Sequence, residues 1–104
     1  MAITKNTHGD ECELLFKDRV DGAVANEMEV EILNGIKQGA KTILINFAET
    51  DFLCSAAIRV LLQYHRQMKN QQKVLKVSRI SPEADAILEM TGFRDILVEK
   101  IGGG

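Results

Sequence analysis

The side chains that could do chemistry in this chain are few, and their spacing is informative. Ser55 follows Cys54 at the junction between a β-type run, Thr42-Ile43-Leu44-Ile45 leading to Phe47, and a helical pattern from Ala56. A hydroxyl there lies near the unpaired amides of a helix start, where an anion is also favoured. A nucleophilic serine would need a base, and His65 is the candidate. The intervening ten residues of predicted helix span about 15 Å of axis, beyond hydrogen-bond reach. His8 and Cys12 stand four apart across a predicted turn with only Asp10 and Glu11 beside them, short of a metal-ligand set. Asp10, Asp18, Asp21 and Asp51 could cluster at one end of a sheet, but each reads better as a cap or turn residue. None of the eight glycines forms a phosphate-binding loop of the G-x-x-x-x-G-K or G-x-G-x-x-G kind. The expectation is a protein that is no enzyme, with no catalytic residue, no metal and no cofactor.

The elements that must position Ser55 form one predicted α/β domain over residues 1–104, with an edge strand and turn at 1–10 and a flexible tail at 102–104. The composition, 45% apolar and 27% charged, is that of an ordinary globular protein. A net charge of -2, no basic block and only 5% aromatic residues argue against direct nucleic-acid binding. No apolar run approaches the roughly 20 residues that span a bilayer. The N-terminal MAITKNTHGDE lacks the basic start and apolar centre of a secretory signal. Two cysteines are too few for a disulfide framework, so a cytoplasmic protein with reduced thiols is expected.

In chain order, Ile3 to Thr7 reads as an edge strand and Cys12 to Phe16 as its hairpin partner. Asp18-Arg19-Val20-Asp21-Gly22 follows, with Asp21 placed to cap a helix. That helix turns Ala25, Met28, Ile32 and Ile36 inward and Glu27, Glu29, Glu31 and Lys37 outward, stopping at Gly39. A strand over Thr42 to Phe47 then reaches a polar loop at Glu49-Thr50-Asp51. The second helix, Ala56 to Asn70, carries Ala57, Val60, Leu61, Tyr64 and Met68 on one stripe, and its second half, His65 included, emerges into water. A strand at Lys73 to Ser78 completes a right-handed parallel crossover. Ser81-Pro82-Glu83 starts a third helix, with Ala84, Ile87 and Leu88 inward and a stop near Gly92. Phe93 packs back, and Ile96 to Val98 reads as a last short strand. Met28, Met68 and Met90 are expected in the core.

This order, together with Arg19-Val20-Asp21, Ile43-Leu44-Ile45-Asn46-Phe47, Asp51-Phe52-Leu53-Cys54-Ser55, Ser81-Pro82 and Leu88-Glu89-Met90-Thr91-Gly92-Phe93, resembles the STAS domain of bacterial anti-sigma factor antagonists. The resemblance runs from about Glu13 to Lys100. It implies a four- to five-stranded mixed sheet packed with three main helices, and a serine at the start of helix two, here Ser55, that a partner phosphorylates. That partner is an anti-sigma factor that is also a serine protein kinase and itself binds ATP. The unmodified antagonist binds it and frees the sigma factor; the phosphorylated form lets go. The implied contact residues are Asp21, Asp51, Cys54, Ser55, Ala56 and Arg59. Family members usually read Asp-Ser, then Ser or Thr, then Gly at this turn, where this chain has Cys54-Ser55-Ala56-Ala57.

The alternative is a STAS-type interaction module, not phosphorylated, working in a stress or sensory complex. A small-ligand sensor using apolar space beneath helix two has no residue in its favour. Taken alone, Ser55 reads as a helix cap and Cys54 as a small half-buried residue, with a redox-sensitive thiol as the sharper reading. The free protein is expected to be a monomer or weak dimer, with no membrane or nucleic-acid partner.

Overall fold

The structure, a computed structural model, describes residues 3–98. The tail expected at 102–104 lies outside the described residues. The hairpin forms from β1 (Ile3–His8) and β2 (Glu11–Val20), antiparallel as the short turn requires. Then come α1 (Gly22–Lys37), β3 (Thr42–Leu53), α2 (Ser55–Asn70), β4 (Val74–Ile80), α3 (Pro82–Thr91) and the short α4 (Arg94–Leu97). The sheet order is β1-β2-β3-β4, with β2, β3 and β4 mutually parallel. Each parallel step is bridged by a helix, since neighbouring parallel strands need a long crossover.

Alternation along the strands sends Leu14 and Phe16 of β2, Ile43, Ile45 and Phe47 of β3, and Leu75 and Val77 of β4 into one core. The inward residues of all four helices join it, among them Met28, Ile32, Leu61, Met68, Leu88 and Leu97. Phe16 and Phe47 stack obliquely at its centre, 5.4 Å apart. α1 comes close enough to β3 that a Cβ on Gly35 would stand 3.2 Å from Ile43 Cδ1. Leu15 and Leu44 point to the other face, half-buried and apart from that core. The shortest molecular extent, 21 Å, fits one sheet and one helix layer.

Several sequence expectations are corrected. β2 runs past Phe16 to Val20, and β3 runs past Phe47 to Leu53, so Glu49-Thr50-Asp51 is strand and not a surfaced loop. Beyond Phe47, β3 has lost β4 and pairs only with Lys17 to Val20, which leaves a two-stranded ribbon. That ribbon buries Val20, Thr50 and Leu53 and exposes Lys17, Glu49 and Asp51, so its one dry side carries a polar threonine and the apolar alternation that marks a strand is missing. Its register shifts place Asp51 opposite no single residue, and Asp18 takes a left-handed backbone at φ 60°. At the C-terminal end a helical turn replaces the strand expected over Ile96 to Val98. Val98 alone bridges Val77, so the sheet has four strands among the described residues. Met90 is 86% exposed and not core, because α3 turns only Ala84, Ile87 and Leu88 toward the sheet. His65 does not emerge into water: it is half-buried, its Nδ1 2.7 Å from the Leu75 carbonyl oxygen.

Candidate functional site

All three long helices follow parallel strands, so their N-termini lie at the carboxyl edge of the sheet, where ligands and partners of α/β folds commonly meet the chain. Asp21, in extended conformation, caps α1, its Oδ1 accepting from the Val24 amide at 3.0 Å. Ser81 caps α3, its Oγ accepting from Ala84 N at 3.0 Å, with Pro82 at the first turn. Both agree with the sequence reading.

The start of α2 is built differently. Its N-cap is Cys54, extended at φ -82° and ψ 165°, and its side chain makes no capping hydrogen bond. Ser55 is therefore the first helical residue and not the cap. Its side chain is exposed, while Cys54 and Ala56 are half-buried and Ala57 is fully buried. The Ala57 and Ile58 amides reach the Cys54 carbonyl at 3.1 and 3.3 Å, but those of Ser55 and Ala56 find no acceptor among the described residues. Two open donors at the positive end of a 16-residue helix would favour a negative group on the Ser55 oxygen. Arg59, also exposed, lies one turn along on the same face.

The surroundings hold this edge in place. The Cys54 amide donates to the Val20 carbonyl at 3.0 Å, pinning the β3–α2 junction to the β2–α1 junction and bringing the Asp21 and Ser55 segments side by side. Arg19 lies over the Phe52 ring, its guanidinium carbon 4.2 Å from the centroid. Lys17 pairs with Glu49 at 3.9 Å on the exposed ribbon, and Asp51 is exposed beside them. Thr50 is buried: its Oγ1 donates to the Phe16 carbonyl at 3.0 Å, and its own carbonyl accepts from Ser81 Oγ. One residue thus ties β2, β3 and the α3 start together. Neither this tie nor the Arg19–Phe52 stack is legible from sequence, since both depend on a register that spacing does not reveal.

The other chemical candidates are dispersed. Ser55 and His65 occupy opposite halves of α2, and His65 is committed to Leu75. Cys12 is 2% exposed in the core, whereas His8 is exposed and pairs with Glu11. Tyr64 donates to Glu29 Oε2 at 2.7 Å across the α1–α2 contact; burial first, then that carboxylate, pushes its phenol up to about 12. Arg94 is held more firmly protonated by Asp85, 2.5 Å away, far from Ser55 in sequence. No helix among the described residues is long and apolar enough to cross a membrane.

Comparison with known proteins bears on this edge. Residues 2–102 match the family model of the STAS domain. Over 77 residues the chain is 26% identical to BtrV of Bordetella bronchiseptica, provisionally described as an anti-sigma factor antagonist; the match covers 74% of this chain and 66% of that protein. The fold is similar to that of the anti-sigma factor antagonist SpoIIAA in its unphosphorylated form, at a TM-score of 0.82 and 17% identity, covering 97% of this chain and 90% of that one. It is also similar to the Bacillus cell fate determinant SpoIIAA in its phosphorylated form, at a TM-score of 0.74 and 17% identity, covering 97% and 93%.

Proposed function

Because the chain belongs to the STAS domain family, we propose that it is an anti-sigma factor antagonist whose binding to an anti-sigma factor with serine kinase activity is switched at Ser55. The observation that carries this reading is the uncapped start of α2, with an exposed hydroxyl beside two open amides. The partner supplies ATP and the catalytic groups; this chain supplies the hydroxyl. The Ser55 oxygen takes the γ-phosphoryl group and loses its proton, and ADP leaves.

The phosphate adds about -1.5 to -2 charges at pH 7. The open amides, the helix dipole and Arg59 accept that charge, so the domain stays folded. The same charge on a surface fitted to a neutral serine must be desolvated or repelled, and the partner lets go. Asp21, Asp51, Cys54, Ala56 and Arg59 form the rest of the contact in this reading.

Incubation with a cognate kinase and labelled ATP, followed by mass spectrometry, tests it. Label is expected on Ser55 and none on Ser55→Ala, with Ser55→Asp binding the unlabelled partner at least about tenfold more weakly, roughly 1.4 kcal/mol. A second reading draws on Cys54, Ala56 and Ala57, which stand where the family carries acid, hydroxyl and glycine: a constitutive module that binds through the same edge without being phosphorylated. Stable binding with no label on Ser55 selects it.

A further inference from the structure

The turns that lead from α1 to β3 and from α2 to β4 repeat one pattern. Lys37 lies in the last turn of α1 and Lys41 directly precedes β3, in Lys37-Gln38-Gly39-Ala40-Lys41. Lys69 and Lys73 hold the same places between α2 and β4, in Lys69-Asn70-Gln71-Gln72-Lys73. Neither turn carries an acid, and each contains a left-handed residue, Gly39 at φ 87° and Gln72 at φ 61°. The fold sets the two turns side by side at the amino edge of the sheet. The Val74 amide donates to the Lys41 carbonyl at 2.9 Å, and the Lys73 amide donates to the Met68 carbonyl at 2.8 Å. Lys41, Lys73 and Lys69 are therefore neighbours along that edge. Lys37, Lys41 and Lys69 are exposed, Lys73 is half-buried, and none of the four makes an ion pair with a described residue. Asp10, whose carbonyl accepts from the Lys41 amide, and the adjacent Glu11 offset part of this charge. The edge stays positive in a chain whose net charge is -2.

Helix dipoles account for Lys37 and Lys69, each in a last turn. They do not account for Lys41 and Lys73, which precede strands, where the net dipole is small. We propose that this edge docks on the surface of an anionic phospholipid bilayer. The lysines are spread over two packed helices, whose axes lie about 8–10 Å apart, so they span more than one phosphate group. All four are point charges without the planar fork of arginine, which suits a diffuse array of phosphates better than one group of fixed geometry. A single-stranded nucleic acid would call for aromatic side chains among the cations, and neither turn has one. Val74, beside Lys73 and 43% exposed, adds an apolar contact at the headgroup level. Binding of this kind is weak and reversible. The parallel strands run from this edge to the Ser55 edge, so a docked chain turns Ser55 away from the lipid. The docking does not depend on phosphorylation at Ser55.

Co-sedimentation of the full chain with vesicles tests this, using phosphatidylcholine alone or mixed with about 30% phosphatidylglycerol at low salt. The wild type is expected on the mixed vesicles and not on the neutral ones. It should come off as salt approaches about 1 M, where the screening length falls to about 3 Å. Each lysine near an anionic surface is worth about fivefold in partitioning, so Lys41→Glu with Lys73→Glu should weaken binding at least about 25-fold. Lys37→Glu with Lys69→Glu should do the same, and because both residues are exposed this pair serves if the first unfolds. Circular dichroism checks the fold of each. Lys17→Glu makes the same charge change on the ribbon at the opposite edge and should leave binding within about twofold of wild type. A wild type that ignores the mixed vesicles overturns the proposal, as do folded double variants that bind like wild type. An equal loss for Lys17→Glu and one double variant would also overturn it, since net charge and not this edge would then govern binding. Binding to duplex DNA at the same salt without binding to vesicles would assign the lysines to nucleic acid and overturn it too.

Discussion

The starts of α2 and α3 lie at the same edge of the sheet, and each carries a serine. Ser81 is 9% exposed, in extended conformation before its helix, with its Oγ accepting from Ala84 and donating to the Thr50 carbonyl. Ser55 sits one position further in, already helical and exposed, with neither bond. A side chain at the capping position folds back over the first amides; one residue later it projects outward. That offset decides whether a hydroxyl is tied into the structure or left facing water.

The sharpest way to break this comparison is to remove each hydroxyl in turn. Ser81→Ala deletes a cap and leaves a buried carbonyl without its donor, an expected loss of about 1–3 kcal/mol by urea denaturation. If Ser81→Ala proved as stable as wild type, the two serines would not differ in the way described.

A second contrast runs along α2, where Ser55 faces water and Tyr64 is buried against Glu29. Tyr64→Phe should cost about 1 kcal/mol near neutral pH. The unfolded phenol gives up its proton near 10.0, the folded one only near 12, so in that window the unfolded state binds fewer protons. The contribution is fully present below pH 10 and falls as pH rises toward 12. Denaturation of wild type and Tyr64→Phe across this range should show wild type losing its advantage. A constant difference would remove the coupling.

Cys54→Ser supplies the cap that α2 lacks and should stabilise the domain by about 0.5–1 kcal/mol, with Cys54→Ala giving no such gain. Equal midpoints for both variants would mean that the first amides of α2 are already satisfied. The smallest effect belongs to Ser55→Ala, within about 0.5 kcal/mol of wild type, as for an exposed side chain with no partner. A larger loss would make Ser55 structural and count against its availability to a kinase.

Much of the fold was legible locally. Asp21, Ser81-Pro82, Gly39 and Gly92 signal helix ends through their own chemistry, and their caps and left-handed turns appear as expected. The inward positions Met28, Ile32, Leu61 and Leu88 follow from helical period, because one face must be dry. Met90 misled because hydrophobicity states a preference and not a location; its helix spends its inward face on other residues.

By itself the sequence determined the alternation of strands and helices, the caps, and the place of Ser55 at the head of the second helix. Those features rest on interactions within a few residues. Tertiary structure alone decided that β3 continues to Leu53, that Thr50 is buried, that His65 is tied to Leu75, and that Cys54 and not Ser55 occupies the capping position. Each depends on partners 10 to 34 residues away along the chain, such as Val20 holding the Cys54 amide, and no local pattern encodes where a distant strand will end.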